Sequence, residues 1–310
     1  MGSVRAKANL GYHARVAPDP NGPFPWLDRD AYPFRSRWLE LPDGPLHYVD
    51  EGEGETLLLV HGTPTWSFEY RHVISGLRGA YRCVAVDHLG FGLSGRPPDV
   101  AYTPEAHADC LRAFVDKLGL RRFTLVAHDF GGPIALPLAL ADNASPVSRL
   151  VILNSWMWSF ADDPVMTKRA RMAAGGLGRF LYRRLNASLK LIMPSAYGDR
   201  RKLTRAIHKQ YLVLFPDADS RERVLWALAR ALTGSAAFYD GLWRRRSRLA
   251  PIPTLVIWGM KDSAFRPDQL ARWRQAVPHA SFVELADAGH WPHEEAPDAV
   301  VEALRTFLGK

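Results

Sequence analysis

Three residues in this chain have the types and the order for nucleophilic catalysis: Asp129, Asp262 and His290. Asp129 lies in Phe123-Thr124-Leu125-Val126-Ala127-His128-Asp129-Phe130-Gly131-Gly132-Pro133, where an apolar β-forming run breaks into small residues and a helical pattern follows. This is the layout of a strand–turn–helix elbow, which lifts one side chain above a sheet. Ala127 and Gly131 flank the acid two positions away on either side, as a strained turn without room for branched side chains requires. Pro133 suits the first helical position, whose N–H would be unpaired in any case. The usual occupant of such an elbow is Ser. An aspartate there is already ionised at neutral pH and can attack carbon to form an ester. His290 would then take a proton from the water that hydrolyses the ester. Asp262 would fix the imidazole tautomer and stabilise its cation. The backbone N–H groups of Phe130 and Thr63 are the natural oxyanion donors, each worth roughly 3–4 kcal/mol to a transition state. His61 and His128 are rival bases, read here as structural residues bonded to the loop backbone.

These residues need elements to hold them. Arg37 to Leu41 and Pro45 to Val49, split by Pro42-Asp43-Gly44, read as a β-hairpin. Thr56 to Val60 is a short buried strand running into the loop His61-Gly62-Thr63-Pro64-Thr65-Trp66. Ser67 to Leu77 reads as an amphipathic helix and Tyr81 to Val86 as the next strand. A literal G-x-G-x-x-G follows at Gly90, Gly92 and Gly95. A dinucleotide site needs a helix opening directly at those glycines, but Arg96-Pro97-Pro98 intervenes. The helix comes later, over Pro104 to Leu118, with Thr103 as its cap. Pro137 should bend the helix after the elbow. Arg149 to Leu153 is a further strand. From Ser155 to Leu249 strand signals give way to helical ones, such as Leu203 to Leu214 and Arg221 to Leu232. The strand Thr254 to Trp258, helix Pro267 to Ala276, strand Ser281 to Leu285 and helix Pro297 to Leu308 complete the chain. Strands alternating with helices predict an α/β fold with a mostly parallel, doubly wound sheet. The expected division is a core of residues 1–154 and 250–310 with an inserted helical cap, 155–249. Residues 1–36, rich in Pro and aromatics, are expected to wrap the outside of the domain.

His61 to Arg71, Asp87 to Ser94, His128-Asp129-Phe130-Gly131-Gly132, Gly259-Met260-Lys261-Asp262 and Asp287-Ala288-Gly289-His290 together resemble the haloalkane dehalogenases. That resemblance implies an α/β-hydrolase fold, an aspartyl-ester intermediate and Asp262 as the acid. Asn154, where some relatives carry the acid, is no carboxylate. It implies no cofactor and no metal. Tyr211 to Asp217 resembles a segment that lines the cap, so Trp66, Trp156, Trp158, Tyr211 and Phe215 are the pocket candidates. The family pattern also has a Trp after the nucleophile to hold the departing halide, with a second donor from an Asn in the His-Gly loop or a Trp in the cap. Here those two core positions are Phe130 and Thr63. Trp156, Trp158, Trp243 or the Thr63 hydroxyl would have to substitute. Epoxide hydrolases and β-lactone-acting relatives share the pattern and release no halide. The cap tyrosines Tyr182, Tyr197, Tyr211 and Tyr239 are then the candidate acids. A homologue that binds a small molecule without turnover is the reading from another class; the complete Asp–Asp–His set argues against it.

Composition fits one large domain: 310 residues, 47% hydrophobic, with no run as long as a membrane span. Two isolated cysteines, Cys83 and Cys110, make no disulfide framework, so a cytoplasmic location is expected. The net charge of +8 is concentrated, with 19 Lys+Arg against 7 Asp+Glu between Ser155 and Leu249. These cations are scattered over helical pattern rather than set in a nucleic-acid module and read as a solvated face. The expected partner is a small-molecule substrate, with no nucleic acid and no membrane. Oligomeric state is left open.

Overall fold

The computed structural model describes residues 24–142 and 145–309. Eight strands form one sheet: β1 (Ser36–Leu41), β2 (Gly44–Glu51), β3 (Thr56–Val60), β4 (Arg82–Val86), β5 (Phe123–Asp129), β6 (Val147–Ser155), β7 (Thr254–Gly259) and β8 (Ser281–Leu285), in the order β1-β2-β4-β3-β5-β6-β7-β8. The hairpin β1–β2 joins the sheet antiparallel to β4, and from β4 to β8 every pairing is parallel. Central strands of such a sheet are covered on both faces. Accordingly β5 and β7 are buried along their whole length.

Helices α1 (Arg71–Leu77), α2 (Pro104–Leu118) and α3 (Gly131–Ala139) follow β3, β4 and β5. Between β6 and β7 lie α4 (Pro164–Ala174), α5 (Gly176–Leu185), α6 (Met193–Ala196), α7 (Arg205–Leu212), α8 (Ala218–Ser220), α9 (Ala227–Gly234) and α10 (Ala236–Arg244), without a strand among the described residues. Then come α11 (Pro267–Ala276), α12 (Pro292–Glu295) and α13 (Pro297–Leu308). Strong local signals set several bounds. In α2 the Thr103 hydroxyl accepts the Ala106 N–H, Pro104 stands at the start, and Gly119 closes the helix at φ 72°.

Three expectations need correction. Ser67 to Leu77 is a 3₁₀ turn, Ser67–Tyr70, followed by α1, and its first four residues are all buried rather than amphipathic. Helix α3 opens at Gly131, so Pro133 is its third residue, still within the turn whose N–H groups lack intrahelical partners. The described part of the N-terminal segment does not merely wrap the surface. Tyr32 is fully buried, and Asp28 N–H and the Trp26 carbonyl both bond the Gln210 side chain on α7. Residues 1–23 lie outside the described part.

Candidate active site

The chain enters the elbow from β5 and leaves it into α3, and Asp129 sits between them at φ 49°. A non-glycine residue in this left-handed region is strained. The surroundings enforce it: a Cβ on Gly131 would collide with the Val60 carbonyl, and one on Gly62 with the Asp129 side chain. The carboxylate is thus presented over the ends of β3 and β5 at 5% exposure.

Asp129 Oδ2 accepts the Thr63 N–H at 2.8 Å, and the Phe130 backbone N–H also bonds this carboxylate. Its Oδ1 faces His290 Nε2 at 3.6 Å. His290 Nδ1 donates to Asp262 Oδ2 at 2.7 Å. Asp262 is itself held by the N–H groups of Ala264 and Phe265 on Oδ1 and by Asn154 Nδ2 on Oδ2, at 2.8 Å. Asn154 also receives Gly259 N–H, so it locks the loop that carries the acid. The structure therefore brings Asp129, His290, Asp262 and the N–H groups of Thr63 and Phe130 together.

Burial alone would lower the imidazole, but the charges of Asp262, Asp129 and Glu69 and the bond to Asp262 raise His290 to about 9. Burial likewise raises the Asp129 carboxyl, against His290, His128 and the two backbone donors. The carboxylates around His290, Asp262 foremost, thus favour its protonated form.

His61 bonds the Gly62 carbonyl and receives His88 N–H, and His128 Nε2 bonds the His290 carbonyl at 2.8 Å. Both rings face loop backbone beside the elbow. The glycine-rich run opens no helix. It turns around buried Asp87, which accepts N–H groups from Ser67 and Leu93 and pairs with His47.

Of the five pocket candidates, Trp156 meets the elbow: its ring stands edge-on to Phe130, 4.7 Å between centroids. It also stacks on Phe265, which lies 5.5 Å from the His290 ring. Trp156 Nε1 and Thr63 Oγ1 are buried without a hydrogen-bond partner. The contacts of the other four lie elsewhere. Trp66 packs with Trp26, Tyr32 and Phe68, because the buried N-terminal segment fills the space beside it. Trp158 spends its N–H on Gln269 and packs on Trp243 and Trp273, which removes it as a halide donor. The Tyr211 hydroxyl donates to Glu294 at 2.6 Å, and Phe215 packs on Phe91 beneath Arg96.

Sequence reasoning missed four buried polar residues around the histidine loop. Glu69 Oε1 lies 3.2 Å from His128 Nδ1 and 3.7 Å from His293 Nε2, a cluster whose donor atoms all fall within 4.8 Å. These are the residues whose chemistry could hold a cation; Glu69 already bonds His128, whereas both His293 ring nitrogens are buried without a hydrogen-bond partner. Burial would raise the Glu69 carboxyl, but the charge and bond of His128 and the nearby His293 hold it well below the carboxylate range. Glu294 pairs with buried Arg71, and Glu295 receives N–H groups from Gly198, Asp199 and Gly289. The available signal was His293-Glu294-Glu295, three to five positions after the candidate base.

This sheet order, with an aspartate at an elbow closing the fifth strand and a histidine after the eighth, is that of a hydrolase of the α/β class. The chain belongs to the alpha/beta hydrolase fold family, whose pattern matches residues 55–297. It is 38% identical over 284 residues to haloalkane dehalogenase 2 of Mycobacterium tuberculosis, covering 91% of this chain and 98% of that protein. It is 32% identical over 285 residues to a cis-3-alkyl-4-alkyloxetan-2-one decarboxylase of Shewanella oneidensis, covering 89% of each. The crystal structure of haloalkane dehalogenase DbeA from Bradyrhizobium elkanii superposes with a TM-score of 0.79 at 24% identity, over 89% of this chain and 97% of that one, a likeness of fold. No helix among the described residues is long and apolar enough to cross a membrane.

Proposed function

We propose that this hydrolase cleaves carbon–halogen bonds of small haloalkanes through an ester on Asp129. The observation that carries the reading is the split use of one carboxylate: Oδ2 is held by the Thr63 N–H while Oδ1 remains beside His290. Oδ1 attacks the halogen-bearing carbon, the carbon–halogen bond breaks, and halide leaves with the bonding pair. Ester formation removes the Asp129 charge, one of the influences that hold His290 protonated. The imidazole then loses its proton and can act as base. His290 takes a proton from water, the hydroxide attacks Asp129 Cγ, and the oxyanion forms on Oδ2 against the Thr63 and Phe130 N–H groups. Collapse releases the alcohol. The net change is haloalkane plus water to alcohol plus hydrogen halide.

Halide needs donors, and the Phe130 side chain has none. Trp156 Nε1 and Thr63 Oγ1 are two buried unpartnered groups at this site, and we assign them to the departing halide. Residues 155–249 serve as the cap, and two free buried cysteines fit a cytoplasmic setting.

Action on a β-lactone is the second reading, favoured by the 32% identity to the oxetanone decarboxylase and by a Phe130 side chain in place of a donor. For epoxide opening, the Tyr211 and Tyr239 hydroxyls are committed to Glu294 and the Ala231 carbonyl, which leaves the buried, unpartnered Tyr197 hydroxyl as the stronger candidate acid. The test is the intact mass of His290→Ala after incubation with a bromoalkane, a cis-dialkyl β-lactone or an epoxide. An ester retained from the bromoalkane supports dehalogenation. One from the lactone or epoxide alone transfers the assignment, and no adduct from any of them refutes it.

A further inference from the structure

All the large hydrophobic side chains that stand exposed among the described residues fall in one stretch of the chain: Val165, Met172, Leu177, Phe180, Leu185, Leu191 and Ile192. Leu177 is 68% exposed, Met172 62% and Phe180 54%. Such clustering marks an interaction surface, whereas scattered single residues would need no explanation. The same stretch, residues 164–192, carries seven Lys and Arg and no Asp or Glu. On α5 the outward positions Leu177, Phe180 and Arg184 follow the i, i+3, i+7 spacing of one helix face. On α4, Val165, Lys168 and Met172 do the same. Glu222 pairs with Arg179 and Arg183 from the far side of α5. Among the described residues no carboxylate pairs with Lys168, Arg171, Arg184 or Lys190, which flank the apolar side chains.

We propose that this face of α4, α5 and the turn ending at Ile192 docks on an anionic lipid surface. Apolar side chains interleaved with unpaired cations fit a headgroup boundary, where the tips bury and the cations meet lipid phosphates. Charge decides between occupants. A second copy would bring two acid-free basic faces together, whereas an anionic bilayer neutralises them. The absence of a spanning helix is no objection, since such a surface lies on the membrane rather than through it.

The placement suits delivery of a lipophilic substrate, a point that rests on the site at Asp129 whereas the docking does not. A surface groove of about 590 Å³ is lined by Pro164, Lys168, Arg171 and Met172. A second hollow of about 210 Å³ shares Arg171 with it and reaches Phe160. Phe160 lies 5.5 Å from Trp156, which touches Phe130.

The experiment is co-sedimentation of the full chain with phosphatidylcholine vesicles and with equimolar phosphatidylcholine–phosphatidylglycerol vesicles. Binding should be about tenfold stronger to the anionic vesicles and fall away near 1 M salt. Leu177→Ser with Phe180→Ser, and separately Lys168→Glu with Arg184→Glu, should each weaken it about tenfold while the melting temperature stays unchanged. These four side chains are exposed, so folding survives their loss. Wild type left in the supernatant with both vesicles overturns the proposal. So does undiminished binding by both variants. A dimer in light scattering that the Ser pair dissociates, without vesicle binding, assigns the face to a second copy instead.

Discussion

Trp156 is the residue on which the choice of leaving group turns. Its buried N–H has no partner and its ring is set against Phe130. A lost hydrogen bond to a charged group costs about 1.5–3 kcal/mol, so Trp156→Phe should slow haloalkane turnover about ten- to a hundredfold. Turnover of a β-lactone, which releases no halide, should be unaffected. Bromide should quench tryptophan fluorescence in the wild type and lose most of that effect in the variant. Equal rates and equal quenching would remove Trp156 from the site. His290 makes a second residue-scale claim. Its pKa is raised from 6.5 to about 9, so its charged form stabilises the fold fully below pH 6.5 and that contribution disappears as pH rises through about 9. Stability measured by urea unfolding should decline across this window and lose that slope in His290→Gln.

Elements explain why some of the site was legible and some was not. The bounds of β3, α2, α11, β8 and α13 agree with the sequence reading, because capping, proline placement and residue period are local signals. The elbow was legible for the same reason: a strand, an acid and small residues stand together in the chain. Glu69 and His293 were not. Charged residues are ordinarily solvated, and what buries Glu69 is contact with His128 from β5 and His293 from α12. The orientation of Trp66 and Trp158 was hidden likewise, since Tyr32 and Gln269 reach them from distant segments. The buried network has a consequence for the base. Glu69 is one of the carboxylates that raise His290. Glu69→Gln should therefore lower the His290 pKa and shift the onset of ester hydrolysis to lower pH in single-turnover kinetics. An unmoved profile would make Glu69 a packing residue only.

At the scale of the whole molecule, the helical insertion is joined to the core at the histidine loop rather than hinged above it. Tyr211 on α7 and Arg71 on α1 both bond Glu294 on α12. Glu295 accepts N–H groups from Gly198 and Asp199 of the insertion and from Gly289 of the core, and His290 N–H itself bonds the Ala196 carbonyl. Breaking one member of a buried charge pair costs about 3–5 kcal/mol, because the other is left unpaired in low dielectric. Arg71→Met should lose about that much stability, and Arg71→Met with Glu294→Gln should recover most of it, since the amide can still bond Tyr211. Cooperativity is the further test. If these bonds join the insertion and core into one unit, calorimetry of the wild type gives a single transition, with equal van't Hoff and calorimetric enthalpies. Glu295→Ala removes the acceptor common to both sides and should split or broaden that transition. Two transitions already in the wild type would mean that the insertion melts alone, and that the loop carrying His290 is ordered by the core without it.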